Sequence, residues 1–282
     1  MSFQEFARLH IPALEADEIR FNLQIAVMAA AAKDFPAGFQ YWALGAPGHC
    51  ATQTPHHPIL LGDLDRGECQ HLARETKSFP YPGVLGSGST ACWFAEEAAT
   101  LGITFPELEP QRIYVLREPP RYPGAEGAAR GAVLADTDLL GDWIRAFQHE
   151  AAAHEPPFER AKAAKGIALG KYLLWTVGGE AVSFAALGRV LKSAMSIGPV
   201  YTPPDKRGRG YAGSAVAALC ERIFADGKPA ACLYTDLRNP YSNRCYARIG
   251  FKPHCDSWHY HRAAQAGTDH LAGKPGCPSP EA

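Results

Sequence analysis

The sequence has no long apolar run, no surplus of either charge and no paired-cysteine spacing, and each absence removes a class of function. No uninterrupted apolar stretch approaches the ~20 residues that a membrane-spanning helix needs, and the N-terminus lacks a basic segment followed by an apolar core. A cytoplasmic protein with no membrane partner is therefore expected. With 28 Lys and Arg against 29 Asp and Glu the formal charge is -1, so there is no electrostatic excess to draw nucleic acid. The eight cysteines (Cys50, Cys69, Cys92, Cys220, Cys232, Cys245, Cys255 and Cys277) never fall as C-x-x-C. Neither a zinc site nor a redox pair is written in their spacing, and they read as thiols. G-x-x-x-x-G-K-[ST] is missing as well. G-x-G-x-x-G is met only by including Gly213, with no acidic ribose partner at the expected distance.

What is present centres on residues 197–212. Residues 197–202 are short, apolar and β-branched or aromatic, as a strand requires. Pro203 and Pro204 stop it, since proline offers no N–H to a sheet ladder. Arg207, Gly208, Arg209 and Gly210 follow, and from Tyr211 and Ala212 an Ala-rich segment places Val216, Leu219, Cys220 and Ile223 at helical spacing. A strand, a glycine turn and a helix in that order make a site for a pyrophosphate. Glycines let the backbone approach an anion, and the first N–H groups of the helix are left to point at it. The arginines add charge at the rim. On the turn alone, a plain connection with solvated arginines fits equally well.

Further along, a strand at residues 230–235 leads into Asn239-Pro-Tyr-Ser242-Asn-Arg-Cys-Tyr246-Ala-Arg-Ile-Gly250-Phe251. The pair of segments resembles the GNAT superfamily of N-acetyltransferases. Arg207 to Ala212 matches its R/Q-x-x-G-x-G/A signature, and Asn239 to Phe251 its N-x-x-S-x-x-x-Y-x-x-x-G-F segment. The resemblance implies an α/β (α+β) protein of tandem GNAT-like domains, each a mixed, mostly antiparallel sheet flanked by helices. It implies a degenerate N-terminal domain over residues 1–122 and an acetyl-CoA-binding domain over residues 128–265. Residues 266–282, rich in Gly and Pro, read as a disordered tail.

Periodicity fills in the elements. In the first half, residues 18–33, 67–79 and 89–101 read as helices, and 39–44, 59–61, 83–85 and 112–116 as strands. His49, His56 and His57 fall in a Gly, Pro and His loop and read as solvated. Gly86, Ser87 and Gly88 echo the cradle without its arginines. Residues 118–127, rich in Pro and Gly, read as the domain boundary. In the second half Asp136 or Thr137 caps a helix with Leu139, Leu140, Trp143, Ile144 and Phe147 on one face. Residues 158–168 form a second helix, and Gly178-Gly179 joins strands 172–177 and 181–187 as a hairpin. Cys255, His259 and His261 can be drawn as a metal cluster. Residues 255–262 read instead as a terminal strand, whose alternate residues face opposite ways, and no metal is expected.

By resemblance, the backbone of Gly198, Pro199, Val200, Tyr201 and Thr202 holds the pantetheine arm of acetyl-CoA, and Arg207 to Ala212 its pyrophosphate. The strand carrying Val200 splays from the one carrying Tyr234, and the N–H of Val200 or Tyr201 is a candidate oxyanion donor. Tyr246 is the candidate acid that protonates the leaving sulfur, and Asn239 and Ser242 contact the cofactor, cap the helix, or do both. Glu150 ranks first as general base, ahead of His149, Glu155 and Asp236. The expected activity is transfer of acetyl from acetyl-CoA to a primary amine of a small molecule or protein, by direct attack in a ternary complex. A non-catalytic acyl-CoA-binding module, a different nucleotide enzyme and an interaction protein are the alternatives.

Overall fold

The protein is described in a computed structural model over residues 1–151 and 157–262, so Glu155 and the tail expected at 266–282 lie outside the described residues. In chain order the first elements are α1 (Phe3–Leu14), α2 (Asn22–Lys33), β1 (Gln40–Ala43), β2 (Cys50–Gln53), β3 (Ile59–Leu61), α3 (Arg66–Glu75), β4 (Gly83–Ser87), α4 (Thr90–Thr100) and β5 (Glu107–Leu116). There follow β6 (Ala128–Gly131), α5 (Thr137–Ala151), α6 (Arg160–Ala168), β7 (Tyr172–Val177), β8 (Glu180–Val190), β9 (Ala194–Tyr201), α7 (Tyr211–Ala225), β10 (Ala230–Asp236), α8 (Pro240–Ile249) and β11 (Lys252–His261). The expected α/β class, with mostly antiparallel sheets flanked by helices, is what the chain adopts.

Contacts divide the chain into two units. The first is Met1–Ile113 with Thr235–Arg238 and the chain from Pro253, and the second is Tyr114–Tyr234 with Asn239–Lys252. This differs from a contiguous split at residues 118–127. β11 belongs with the first unit because it pairs antiparallel with β4, from Ser257 opposite Ser87 to His261 opposite Gly83.

In the first unit the strand order is β1-β2-β3-β4-β11-β5. Ile59, Leu72, Val84, Phe94 and Tyr260 are fully or almost fully buried in one core cluster. Each such side chain contributes roughly 1.5–3 kcal/mol of burial. α1 was not anticipated, although its start carries a capping box. Glu5 N–H donates to Ser2 Oγ at 3.3 Å, and Ser2 N–H donates to the Glu5 carboxylate at 2.8 Å. α2 begins at Asn22 rather than residue 18 because a 3-10 turn, Glu15–Asp17, and the bond from Arg20 N–H to Asp17 occupy the chain before it. β2 lies in the stretch read as loop, and every one of its residues is buried between β1 and β3. His49 corrects the solvated reading: its Nδ1 lies 2.8 Å from Glu68 Oε2, a residue of α3. His56 and His57 are exposed, as expected.

In the second unit the order is β10-β9-β8-β7-β6, antiparallel except for the parallel pair β9 and β10. α5 buries Leu140 and Ile144, with Trp143 and Phe147 packed beside them, against Leu174, Phe184 and Tyr201 of the sheet. α7 buries Val216, Leu219, Cys220 and Ile223 against Ile197, Ala231 and Leu233. The hairpin turn is where it was expected, with φ of 57° at Gly178 and 85° at Gly179, the conformation that two-residue hairpins demand. Six cysteines, Cys50, Cys69, Cys220, Cys232, Cys245 and Cys255, are free.

Candidate functional site

The site is built where β9 leaves its neighbour. β9 pairs with β10 from Ala194 opposite Ala230 to Ile197 opposite Leu233, and the register ends there. On its other side β9 stays paired to β8 as far as Tyr201 opposite Phe184. Gly198, Pro199 and Val200 therefore run along one neighbour only, and all three are half-buried. Gly198 takes φ 150°, and a Cβ built there meets nothing within 4 Å. The backbone is thus both glycine-dependent and open to a ligand. Ser183 Oγ on β8 donates to Tyr201 O at 3.0 Å, so the backbone groups of Tyr201 face β8. Neighbouring residues on a strand present their backbone groups to opposite sides. The Val200 N–H thus faces the side on which pairing has ended, and of the two oxyanion candidates Val200 is the one aimed into the gap.

Beyond β9 the chain forms a short 3-10 turn, Pro204–Lys206, and then the glycine loop. Gly208 at φ 80° and Gly210 at φ 83° both need the left-handed region, and a Cβ at Gly208 meets nothing within 4 Å. Gly210 is the N-cap of α7 and supplies no side-chain acceptor. The first intrahelical bond runs from Ser214 N–H to Gly210 O at 3.1 Å, which leaves the N–H groups of Tyr211, Ala212 and Gly213 without an intrahelical partner. Tyr211 is buried and Ala212 half-buried, while Arg207, Gly208, Arg209 and Gly210 are exposed. Arg209 has no ion-pair partner among the described residues.

Arg207 is held in place. Its Nε donates to Thr202 O at 2.9 Å and its Nη2 to Glu150 Oε2 at 2.6 Å, with the guanidinium 5.6 Å from the centre of the Tyr201 ring. Tyr201 Oη donates to Glu150 Oε1 at 3.3 Å. Burial, and then the Glu150 carboxylate, push the Tyr201 phenol above its ordinary pKa. The structure thus brings Glu150 to the cradle and engages both its oxygens there. His149 is exposed on the same helix turn, and Asp236, in the first unit, is forked by Arg238 at 3.0 Å.

Tyr122 was missed by the sequence reading. It sits in the stretch read as a linker, yet its hydroxyl donates to Gly210 O at 3.2 Å, and Ala125 N–H donates to Ser214 Oγ at 2.7 Å. A Cβ at Gly213 would meet the Tyr122 ring and hydroxyl at 2.5 Å, so the third glycine of the loop exists to seat this tyrosine.

α8 begins on Asn239, whose Oδ1 accepts from Tyr241 N–H and Ser242 N–H at 3.1 Å each, worth about 1 kcal/mol. Pro240 opens the helix, and Gly250 closes it at φ 113°. Capping accounts for the Asn239 side chain, whereas Ser242 enters the cap only through its backbone N–H. Tyr246 is buried between the rings of Tyr114, 6.5 Å away, and Phe251, 6.0 Å away. Burial drives its phenol pKa far up, so it stays protonated at any pH the protein meets. Its hydroxyl has no hydrogen-bond partner among the described residues.

The family model described as FR47-like protein matches residues 179–262, the span from β8 to β11. Among solved structures, a Drosophila protein is similar at 14% identity and TM-score 0.62, covering 93% of this chain and 97% of that one. A GCN5-related N-acetyltransferase from Sphaerobacter thermophilus is similar at 16% identity and TM-score 0.58, covering 83% and 85%. A tandem GNAT protein from the clavulanic acid biosynthesis pathway follows at 12% identity and TM-score 0.52, covering 87% and 89%. No curated protein matches the chain. No helix among the described residues is long and apolar enough to cross a membrane.

Proposed function

We propose, from a chain whose fold is that of the GNAT acetyltransferases, that the protein transfers an acetyl group from acetyl-CoA to a primary amine within a ternary complex. The observation that carries this reading is the coincidence, on one strand, of the end of β9–β10 pairing at Ile197 and Leu233 with the open glycine loop and bare helix start that follow it. A slot for an extended arm leads into a seat for a diphosphate, and the open space over Gly198 and Gly208 fits backbone approach to both.

Acetyl-CoA supplies the activated thioester. Its diphosphate is taken by the N–H groups of Tyr211, Ala212 and Gly213 with Arg209 at the rim, and Arg207 shares its guanidinium between the diphosphate and Glu150. The Val200 N–H donates to the acyl oxygen as negative charge gathers there. Tyr246 Oη carries the proton that a departing sulfur takes, and burial keeps that proton on the phenol until then. Gly198, Pro199 and Thr202 shape the slot wall. Glu150 serves first to hold Arg207, because both of its oxygens are engaged. The acceptor is a small-molecule or protein amine.

Thiol release measured across a panel of primary amines tests the reading through Tyr246→Phe. Turnover should fall by about 100-fold, while the donor Kd stays within roughly 2-fold of the unaltered protein. Equal losses in turnover and donor affinity would remove Tyr246 from the chemistry.

A further inference from the structure

A second site lies in the first unit and does not rest on the acetyltransferase reading. Glu109 on β5 faces His259 and His261 on β11. Glu109 Oε2 is 3.4 Å from His261 Nε2 and 3.8 Å from His259 Nδ1. One ligand atom from each of the three residues lies within 4.8 Å of the other two. The histidines are two apart on one strand and so share a face, their ring centres 3.8 Å apart. We propose that Glu109, His259 and His261 bind a divalent transition-metal ion of the zinc type.

Three features carry the assignment. First, the spacing is right. A tetrahedral ion with bonds of ~2.0–2.1 Å sets its ligand atoms ~3.3–3.4 Å apart; Glu109 to His261 matches at 3.4 Å and Glu109 to His259 is somewhat wider at 3.8 Å, both longer than the ~2.7–3.2 Å of a well-formed N–H···O bond. Second, the carboxylate is oriented. Gln111 Nε2 donates to Glu109 Oε1 at 2.8 Å, which occupies one oxygen and leaves Oε2 for the imidazoles, the arrangement that outer partners of metal ligands provide. Third, the side chains are sheltered yet reachable, at 20%, 17% and 10% exposure for Glu109, His259 and His261. Two imidazoles and a carboxylate favour zinc and its first-row neighbours over magnesium or calcium. Three protein ligands leave the remaining position to water.

Nearby charge permits a cation. Arg238 is felt by Glu107 and Glu109, but Asp236 forks it at 3.0 Å and 3.1 Å. Three carboxylates thus surround one guanidinium. The reading of the terminal strand as metal-free is revised by a third group that the sequence could not supply. Cys255, the residue that looked like the partner of the two histidines, is not part of the cluster, and Glu109 takes its place.

The test uses the full chain freed of metal by a chelator and titrated with Co2+ alone, followed by Zn2+ calorimetry. One equivalent of Co2+ should develop visible d–d bands without a sulfur charge-transfer band. Glu109→Gln and His261→Ala should each weaken affinity at least about 10-fold, and Gln111→Ala, acting through Glu109, about 10-fold. Glu109→Gln keeps size and hydrogen bonding, so it decides the matter if His261→Ala does not fold by circular dichroism. Absence of saturable binding, binding unchanged in Glu109→Gln, or a thiolate band placing the ion on cysteine would overturn the proposal.

Discussion

At the scale of residues, the decisive contact is the one between Arg207 and Glu150. The arginine proposed to bind phosphate is held at 2.6 Å by a carboxylate, so an incoming anion must share the guanidinium with it. Glu150→Gln removes that competition. Two charges a few ångströms apart near a surface interact by roughly 1 kcal/mol or more, so donor Kd should tighten by about 5-fold on titration calorimetry. Weaker donor binding in this variant would show that Glu150 is needed to aim Arg207. A fall in turnover of about 100-fold at saturating substrate would instead mark the carboxylate as the base. None of this partnership was legible beforehand, since the two residues are 57 apart in sequence. Tyr246 was singled out because its motif is local; the structure shows it buried beside Tyr114 and Phe251, and its acid role is the proposal that Tyr246→Phe tests. Tyr122 was not singled out, because the Pro- and Gly-rich stretch around it carries every mark of a linker.

At the scale of elements, the 3-10 turn that precedes α5, Leu134–Asp136, is tied by Asp136, which accepts from Arg130 at 2.7 Å and 2.8 Å and from Val133 N–H at 2.7 Å. The Arg130 guanidinium first, then the Val133 N–H, hold its carboxyl below the ordinary 3.8 against the opposing effect of burial. A carboxyl depressed by folding stabilises the fold fully above its unfolded value and loses that contribution as pH falls through its folded value. Asp136→Asn should therefore lower stability by about 1 kcal/mol near neutral pH, discounted for the exposed arginine. The gap in urea midpoint should narrow as pH drops below 3.8; a gap constant with pH would contradict the assignment. The sequence marked the strands at 59–61 and 172–177 and both helices that bear the family motifs, because each is announced by nearby residues, whereas the cap expected of Asp136 or Thr137 is turned upstream, Asp136 accepting from Val133 N–H and Thr137 Oγ1 donating to Leu134 O. It concealed β2, a four-residue strand in a loop-like context, and β6, whose residues are mostly exposed and show no alternation. Both exist only because neighbouring strands offer them an edge.

At the scale of the whole molecule, local signals failed where the partner is distant. β11 read correctly as a terminal strand, but nothing in its residues announced that it pairs with β4 or that its histidines meet Glu109. The cradle was readable for the opposite reason: its strand, turn and helix are consecutive. The account stands on acyl-CoA being the ligand of that cradle. Calorimetric titration of the folded protein with acetyl-CoA, with ATP and NAD as controls, tests this most directly. Saturable binding of acetyl-CoA alone is predicted, since the slot along β9 rewards the pantetheine arm that the other two lack. No binding by protein shown to be folded, or binding of ATP or NAD in its place, would contradict it.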